Sequence, residues 1–590
     1  MERRGLARFA AIKSLSVALT SESASLCLFR KPLTILCSIM SATTYIPAAL
    51  LLFVGCYLLF RRFFRYSIKH IRGPTSSFLR GNMRDFSYQT NVGDMDFRFT
   101  KDYGLVWRME APFGQDILAI ADPKALQHMF HKSGYNYGKN ADFLVVTNLL
   151  IGKSILYSPS GHIHARHRKV MNPAFSAPQL RSFLPLFRRS AIKLCQLLKE
   201  DVLQESVSDG QLVAMNKWLS RTTLDIIGES AFQFEFGALD NSKNEVSEVY
   251  ENLFMKTRMD PPILDTIFRA TWQFLPLKLL EFVKYLPRRE YSSPGVMKRV
   301  VDKVASSLVD QAIQDAESIE IEKGKKDVMS VLVRANMSEN PSLRLSKKEM
   351  MAQMGALILA GHETTANTLA WMLWELAKHS YFQNRLRDEI RDKRKDINSR
   401  NAGTVIGNVD FSIDDLESMP FLQAVVKETM RFHPIAYHLI RVAKKDDVIP
   451  LSKPITTSNR DVIDQVPIAK GQNVLVSICA YNRIKEIWGE DADEFNPMRF
   501  IEGRIKHEFK VGMYANLMTF SAGMRGCIGW RFSLIEIQAI IVALVENFEF
   551  AVPPKGQNTE VVRKPLGLMS PMVKGRQSEG VLMPLVVKVL

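Results

Sequence analysis

The sequence predicts a mainly α-helical protein with a small β-rich region. Apolar residues recur at helical spacing: Leu224, Ile227 and Ala231 mark one apolar face, and Ser346–His379 forms one long helical pattern. A short β segment is indicated at Gln472–Cys479. The hydrophobic content of 46% and the charged content of 24% are ordinary for a globular protein, so the composition gives no sign of extensive disorder.

A single N-terminal membrane anchor with its basic flank is predicted at residues 40–66. Ser41–Phe60 is a run of uncharged, mostly apolar residues that is long enough to cross a bilayer. Arg61 and Arg62 follow at once. Because positive residues favour the cytosolic side, the chain after the anchor is expected in the cytosol.

The extension at residues 1–39 allows two interpretations. It is basic, carries serines and has few acids, as a mitochondrial transit peptide does. A start at Met40 would instead begin the chain directly at the anchor. We favour the second interpretation, which predicts a single-pass protein of the endoplasmic reticulum membrane, and we keep the mitochondrion as the alternative.

Charge and cysteine usage limit the partners and the compartment. The net charge of +17 favours acidic partners or anionic lipid. Nucleic acid is not expected as a partner, because the basic residues are dispersed and no zinc-finger spacing or RNA-binding motif is present. The six cysteines form no disulfide framework and no Cys-x-x-Cys pair, which is consistent with a reducing compartment.

The glycine-rich loop Phe520–Gly529 carries one cysteine directly before an apolar run that is predicted to be a helix. Its three glycines allow a flat macrocycle to lie against the backbone with the sulfur of Cys527 aimed at its metal. Arg525 offers a partner for a carboxylate, and a helix that begins near Ile528 would favour the thiolate through its N–H groups. A small, buried structural cysteine is the alternative.

The loop resembles the Phe-x-x-Gly-x-Arg-x-Cys-x-Gly signature of the cytochrome P-450 family. Its five fixed positions are filled by Phe520, Gly523, Arg525, Cys527 and Gly529. The resemblance covers Ile71–Leu590 and implies the family's fold, with residues 67–590 as a catalytic domain that binds haem b (iron protoporphyrin IX) through the Cys527 thiolate. Such a thiolate directs haem towards O–O bond cleavage. Asp447–Leu451 and Ile487–Ala492 are similar to segments of fungal microsomal members.

The run Ala360-Gly361-His362-Glu363-Thr364-Thr365 resembles the oxygen-activation helix of this family. There, Gly361 would remove a side chain from the helix face, and Glu363 and Thr364 would pass protons to dioxygen. A membrane span is excluded because the charged and histidine side chains each cost roughly 2.5–3.5 kcal/mol at a bilayer centre. A zinc-peptidase motif would need histidine at Ala366. A buried helix with a polar patch is the remaining alternative.

Glu428 and Arg431 are three positions apart and therefore share one helix face. Most such pairs are solvated and are worth less than about 1 kcal/mol. Phe495–Phe500 resembles the family's Pro-x-Arg-Phe segment, whose arginine, here Arg499, joins the pair. The resemblance therefore implies a structural cluster of Glu428, Arg431 and Arg499 beneath the haem.

Gly161–Lys169 resembles the family's helix in which a Trp and an Arg four residues apart contact a haem propionate. Arg168 is in place, but His164 stands where that Trp usually is, so its role stays open. A protonated or N–H-donating imidazole could still bond a carboxylate. Arg441 is a further propionate candidate by resemblance, and each arginine could instead be an ordinary surface residue.

The resemblance also indicates which residues line a substrate pocket. They lie around Phe143–Leu149, Ile435–Leu439, Leu566–Pro571 and the oxygen-activation helix. The predicted lining residues are Ala360, Gly361, Tyr437, His438 and Leu568. Apolar loop residues more often serve packing, so sterol, fatty acid, terpenoid and xenobiotic substrates all remain open.

The resemblance implies a haem-thiolate monooxygenase that inserts one oxygen atom from O2 into a small lipophilic substrate. Electrons from NADPH would arrive through NADPH-cytochrome P-450 reductase, which carries FAD and FMN, with cytochrome b5 as an optional second donor. A reductase-independent haem isomerase or dehydratase is one rival, and a membrane haem protein that only senses ligands or carries electrons is the other. The retained Glu363 and Thr364 argue against both, because neither rival needs a proton relay.

Overall fold

The computed structural model describes Gly55 and, further along, residues 68–202, 210–240, 245–251, 261–286, 289–318, 327–336, 344–400, 410–506, 508–554 and 559–590, with the single residues 259, 340 and 556. The chain divides into two units, Met1–Tyr66 and Ser67–Leu590. The predicted extension and, apart from Gly55, the predicted anchor lie outside the described residues. Among the helices in the ranges above, none is long and apolar enough to cross a membrane.

The second unit is mainly α-helical. Its helices are α1 (Met83–Tyr88), α2 (Asp94–Tyr103), α3 (Pro123–Gln127), α4 (Ala141–Ile151), α5 (Gly161–Met171), α6 (Ala177–Leu197), α7 (Met215–Phe232), α8 (Glu245–Glu251), α9 (Ile263–Thr271), α10 (Leu277–Leu280), α11 (Arg289–Ser318), α12 (Val328–Asn336), α13 (Lys347–Lys378), α14 (Ser380–Arg400), α15 (Ile413–Glu417), α16 (Pro420–Phe432), α17 (Ile478–Tyr481), α18 (Lys485–Trp488) and α19 (Trp530–Asn547).

The strands of the described residues form four small sheets. They are β1 (Val106–Ala111), β2 (Gln115–Ile120), β3 (Tyr137–Lys139), β4 (Gln211–Ala214), β5 (His438–Ala443), β6 (Asp447–Thr456), β7 (Val462–Ile468), β8 (Asn473–Ser477), β9 (Phe548–Ala551), β10 (Val561–Pro565), β11 (Met569–Val573) and β12 (Pro584–Val589). The five-stranded sheet has the order β1-β2-β8-β5-β3, with β2 and β8 parallel and the other neighbours antiparallel. The remaining sheets are β4-β12-β9, β6-β7 and β10-β11.

This architecture confirms the prediction of a mainly helical body with some sheet. The long helical pattern at Ser346–His379 corresponds to α13, whose first residue is Lys347. The β segment predicted at Gln472–Cys479 is shorter, because β8 ends at Ser477 and the chain then turns into α17. The Ser477 side chain accepts a hydrogen bond from the N–H of Ala480 and caps this helix, which explains why the strand stops there.

Helix α13 runs through the centre of the body. It begins with a capping box, in which Ser346 accepts from the Glu349 N–H (3.2 Å) and Glu349 accepts from the Ser346 N–H (2.9 Å). Leu369 and Leu373 are fully buried, and the helix packs against α7, α11 and α16. A helix that is apolar on most sides belongs in the interior. Its few polar residues are therefore held in a largely dry environment.

Candidate active site

Cys527 lies in the loop between a 3-10 turn, Gly523–Arg525, and helix α19. Its N–H donates to the Phe520 carbonyl (2.9 Å), and the Gly526 N–H donates to the Gly523 carbonyl (3.0 Å). These two bonds fix the loop in a tight, folded form, and the Cys527 side chain is accessible. Helix α19 begins at Trp530, two residues later than the sequence predicted.

Gly523 is required by the geometry of the loop. Its φ is +63°, in the left-handed region, and a Cβ there would lie 1.9 Å from the Phe130 carbonyl oxygen. Gly529 differs, because its φ of −91° is ordinary and a Cβ would meet Phe175 at 3.7 Å. Of these two glycines, only Gly523 is demanded by the protein's own packing.

The chain by itself does not favour the Cys527 thiolate. Although Cys527 is exposed at the loop surface, the protein atoms crowded around its sulfur desolvate the thiolate and raise the pKa of the thiol, and the Gly529 N–H and the Arg168 charge oppose that rise without outweighing it. The N–H groups before α19 act in the predicted direction, because the Gly529 N–H lowers the pKa of the thiol, but desolvation of the sulfur is the larger effect. A metal cation would supply the missing stabilisation, since a coordinating thiol is deprotonated.

Four buried or half-buried cations lie near this loop: Lys139, Arg168, Arg441 and Arg525. Lys139 in β3 and Arg441 in β5 are direct partners in the antiparallel ladder. Burial lowers the pKa of Lys139 well below its usual value, and the charges of Arg441 and Arg525 lower it further. Burial, followed by the charge of Arg525, lowers the pKa of Arg441 to about 10. The Arg168 guanidinium donates to the Gly526 carbonyl at 2.6 Å, which ties α5 to the cysteine loop.

The cation cluster has no acidic counterpart in the part of the chain that the structure describes. None of the charges that shift the pKa of its members belongs to a carboxylate. The Nε of Arg525 is buried without a hydrogen-bond partner, and its guanidinium lies 5.1 Å from the centre of the Tyr135 ring. Like charges opposite each other on a ladder are destabilising. The cluster therefore fits a dianionic group such as the two carboxylates of haem, and it fits the cofactor that the sequence implies.

His164 lies on α5 at the edge of this cluster and is buried. Burial lowers its pKa to about 3, with help from the charges of Arg525, Lys139 and Arg168. A protonated imidazole is therefore disfavoured at neutral pH. The Tyr135 hydroxyl lies 3.0 Å from Nδ1 and can donate to it, which leaves an N–H on Nε2 for a carboxylate.

Lys139 and Tyr135 were missed by the sequence-based reasoning. No motif marks them, and Lys139 reaches the site only because β3 pairs with β5. In the sequence, Lys139 is only an isolated lysine in a short strand, and such a lysine cannot be told apart from a surface residue.

Glu363 and Thr364 occupy the middle of α13. The Thr364 hydroxyl donates to the Ala360 carbonyl at 2.7 Å. The Glu363 carboxylate turns towards α7, where the Ser220 hydroxyl lies 3.5 Å away. No hydrogen bond joins Glu363 to Thr364 in the described helix, because neighbouring residues of a helix point in different directions.

A small polar cavity of about 30 Å³ separates Glu363 from α7. Its walls include Ser220, Lys217, Arg221 and Asn367. The cavity is large enough for a water molecule and offers several polar partners to it. Glu363 thus borders a polar space next to α7 that has room for a water molecule.

The five predicted pocket residues do not share one environment. A Cβ on Gly361 would lie 2.9 Å from the Ile227 side chain, so this glycine allows close packing of α13 on α7. Ala360, by contrast, is exposed in the middle of a buried helix.

The other predicted pocket residues lie on the sheets. The His438 imidazole makes a 2.6 Å contact with the Asp96 carboxylate of α2, and Ser477 donates to the same oxygen at 2.5 Å. His438 therefore helps to hold α2 against the sheet. Tyr437 and Leu568 are half-buried.

Glu428, Arg431 and Arg499 meet in one fully buried ion cluster. Arg431 donates to both Glu428 oxygens at 2.8 Å, and Arg499 donates to them at 3.1 Å. Nearby, the Thr519 hydroxyl donates to the Met430 carbonyl at 2.7 Å. This bond connects the helix that carries the cluster, α16, to the residue just before Phe520, and so positions the cysteine loop.

Comparison with known proteins identifies relatives over most of the chain. The family model "Cytochrome P450" matches residues 71–576. A protein of Postia placenta named cytochrome P450 monooxygenase 205 is 32% identical over 534 residues, which cover 88% of this chain and 93% of the relative. A second protein of that organism, cytochrome P450 monooxygenase 219, is 32% identical over 504 residues, or 82% of this chain and 88% of the relative.

A relative from another organism shows the same extent of similarity. The cytochrome P450 monooxygenase claQ of Ampulloclitocybe clavipes is 29% identical over 521 residues, which cover 88% of this chain and 92% of the relative. The residues matched by the family model, 71–576, include the cysteine loop, α13 and the ion cluster.

Proposed function

We propose oxygenation of a small hydrophobic substrate as the reaction of this chain, which belongs to the cytochrome P450 family and is a monooxygenase. The observation that carries the proposal is the Cys527 loop beside a cation cluster without acidic partners among the described residues. Cys527 would hold the iron of haem b, and Lys139, Arg168, Arg441 and Arg525 would bind its carboxylates. Bound there, the haem supplies the reductive activation of dioxygen.

The protein's own contribution to this chemistry is to supply protons. The Thr364 hydroxyl donates its hydrogen bond to the Ala360 carbonyl, and its oxygen lone pairs can accept a hydrogen bond from water. Glu363 borders the polar cavity next to α7. Because the two side chains are not bonded to each other, proton transfer between them needs at least one bridging water.

We propose that the electrons come from NADPH through an acidic flavoprotein reductase. The surface beside the cysteine loop supports this, since Lys169 and Arg531 are exposed and the Met524 side chain is 55% exposed. Basic surfaces steer acidic partners, and the effect weakens with salt. Lys169→Glu and Arg531→Glu should each raise the reductase concentration needed for half-maximal turnover, whereas Lys574→Glu serves as a charge-matched control.

We propose the endoplasmic reticulum membrane as the location. The anchor proposed at Ser41–Phe60 is one support. The other is the region from α9 to the turn after α10, in which Leu264, Phe282 and Tyr285 have exposed fractions of 68%, 65% and 71%. Lys278 in the same region is also exposed. Large exposed apolar side chains beside lysines suit an anionic lipid surface. The protein should fractionate with microsomes and need detergent for release, whereas import into mitochondria with loss of the N-terminus would refute this location.

The central experiment tests the cysteine and the reaction together. Cys527→Ala should abolish the thiolate-type spectrum of the reduced carbon-monoxide complex and all oxygenase activity. Retention of that spectrum would show that the proposed ligand is wrong. Lipophilic compounds that shift the haem absorption band of the wild type would then identify substrates, and product that depends on reductase and NADPH would separate a monooxygenase from an isomerase or a sensor.

A further inference from the structure

His362, the residue before Glu363, is buried with an exposed fraction of 1%. Its Nδ1 lies 2.6 Å from the carbonyl oxygen of Ile358, one turn earlier in α13. A carbonyl oxygen only accepts hydrogen bonds, so Nδ1 must carry the hydrogen. In a neutral ring with that tautomer, Nε2 is an acceptor with an unshared electron pair.

The Nε2 atom faces a second acceptor. It lies 3.4 Å from Oε1 of Glu363 and has no hydrogen-bond partner. An ionised carboxylate also has only acceptor atoms, so a neutral imidazole and a carboxylate would present two electron pairs to each other in a dry site. One proton between the two atoms removes this conflict, as imidazolium with carboxylate or as imidazole with carboxylic acid.

The side chains packed around His362 and Glu363 from α7 and α8 carry hydroxyl groups and an aromatic ring, which bind a proton much more weakly than an imidazole or a carboxylate. From α8, the Tyr250 ring contacts the imidazole edge to face, with ring centres 4.9 Å apart, and its hydroxyl is buried without a hydrogen-bond partner. From α7, Thr223 donates to the His362 backbone carbonyl at 3.1 Å, and Ser220 lies beside Glu363.

The cavity next to Glu363 provides a way to replace a lost proton. Besides Lys217 and Arg221, its lining includes Asn367, whose Nδ2 is buried without a hydrogen-bond partner. A water in this cavity could accept from Nδ2 and donate to Glu363. The pair therefore has a polar cavity with room for water on the side towards α7, and the buried Tyr250 ring on another side.

We propose that His362 is the proton partner of Glu363. The two side chains share one proton, which moves from Nε2 of His362 to Oε1 of Glu363, and Glu363 then gives it up. The ring then keeps its Nδ1 hydrogen and is neutral, and a water in the cavity passes a new proton from the solvent to the pair. This inference rests on the proposed oxygenase function and assigns a positioning and proton-holding role to a residue next to the relay.

A spectroscopic test does not depend on turnover. Infrared difference spectra between wild-type holoenzyme and Glu363→Gln, taken across a pH series, isolate the Glu363 carboxyl band. His362→Phe should displace the pH at which this band changes, because the carboxyl then titrates without its partner. An unchanged titration would overturn the proposal, whether or not the enzyme turns over.

A double-mutant cycle measures whether His362 acts through Glu363. His362→Phe alone should cause a several-fold fall in product per NADPH, with hydrogen peroxide released instead and substrate affinity unchanged. The same change in a Glu363→Gln background should cause no further loss. Losses that multiply independently would overturn the proposal, and a wild type without reductase-dependent product would instead overturn the proposed function.

Two variants separate proton sharing from packing. His362→Gln can donate a hydrogen bond to Glu363 but cannot exchange a proton, so it should keep the haem content and fail to restore coupling. Full coupling in His362→Gln would show that a hydrogen bond is sufficient and would refute proton sharing. Tyr250→Phe keeps the ring contact and removes only the hydroxyl, so it should leave coupling and the carboxyl titration unchanged. A fall in Tyr250→Phe would assign the effect to packing.

Discussion

Replacing Glu428 by glutamine should strongly destabilise the protein. The Glu428 carboxylate accepts hydrogen bonds from Arg431 and Arg499, and also from the Asn496 N–H at 2.7 Å. All three charged side chains are fully buried. Glu428→Gln keeps the shape but removes the negative charge and turns one acceptor into an NH2 group that faces donors.

The size of the effect follows from the burial. Removing one partner from a buried ion pair costs about 3–5 kcal/mol, because the remaining charge stays desolvated without compensation. Here Arg431 and Arg499 lose their shared partner, and Arg499 keeps its ion pair with Asp491 at 2.8 Å, so we expect the free energy of unfolding to fall by about this amount. Urea unfolding of the haem-bound protein, followed by haem absorption and circular dichroism, measures the change. The haem content after expression should fall as well, because α16 is bonded to the segment that leads into the cysteine loop.

The matched control is Glu560→Gln. Glu560 makes a 3.0 Å ion pair with Lys574, and both side chains are more than half exposed, at 64% and 56%. An exposed pair of this kind contributes roughly 0–1 kcal/mol. If Glu428→Gln loses no more stability than Glu560→Gln, the reasoning from desolvation is refuted.

Four further predictions concern the site. Gly523 and Gly503 both have a left-handed φ (+63° and +65°), but only Gly523 abuts a carbonyl group. Gly523→Ala should therefore lower the stability more than Gly503→Ala, and thermal unfolding of both variants checks this. Lys139→Met should stabilise the haem-free chain and speed haem loss to an acceptor globin, since it relieves repulsion between cations. Thr364→Ala should divert electrons from product to hydrogen peroxide, because a positioned proton donor contributes about 10²–10⁴-fold; equal coupling would remove Thr364 from the mechanism. The folded-state pKa of His164 is depressed to about 3, so the free energy of unfolding should fall as pH drops from about 6.5 towards 3. His164→Gln should make this pH dependence less steep, by the equivalent of up to one bound proton.

Local sequence was sufficient for features that depend on residues close together in the chain. The helical spacing of apolar residues over Ser346–His379 predicted α13 to within a residue at each end. The cysteine loop was found because its glycines and Cys527 lie within ten residues. Even the buried ion cluster was anticipated, although its members are distant, because each lies in a recognisable short segment.

Features that depend on strand pairing, or on how deeply a charged group is buried, could not be predicted from short sequence patterns. Lys139 reaches Arg441 only through the register of two strands that are about three hundred residues apart. His438 turns to Asp96, and Gly361 faces Ile227, because of how helices pack on their neighbours.

The sequence by itself determined the helical fold class and located the cysteine loop and the proposed relay residues Glu363 and Thr364, since each depends on short-range patterns of side-chain type. Only the tertiary structure decided the environment of those residues. It made Cys527 a thiol with a raised pKa, gathered four cations without an acid among the described residues, and placed His362 against Glu363. The physical reason is that burial and the distances between charges are set by packing across the whole chain, and these two quantities control where protons and anions are held.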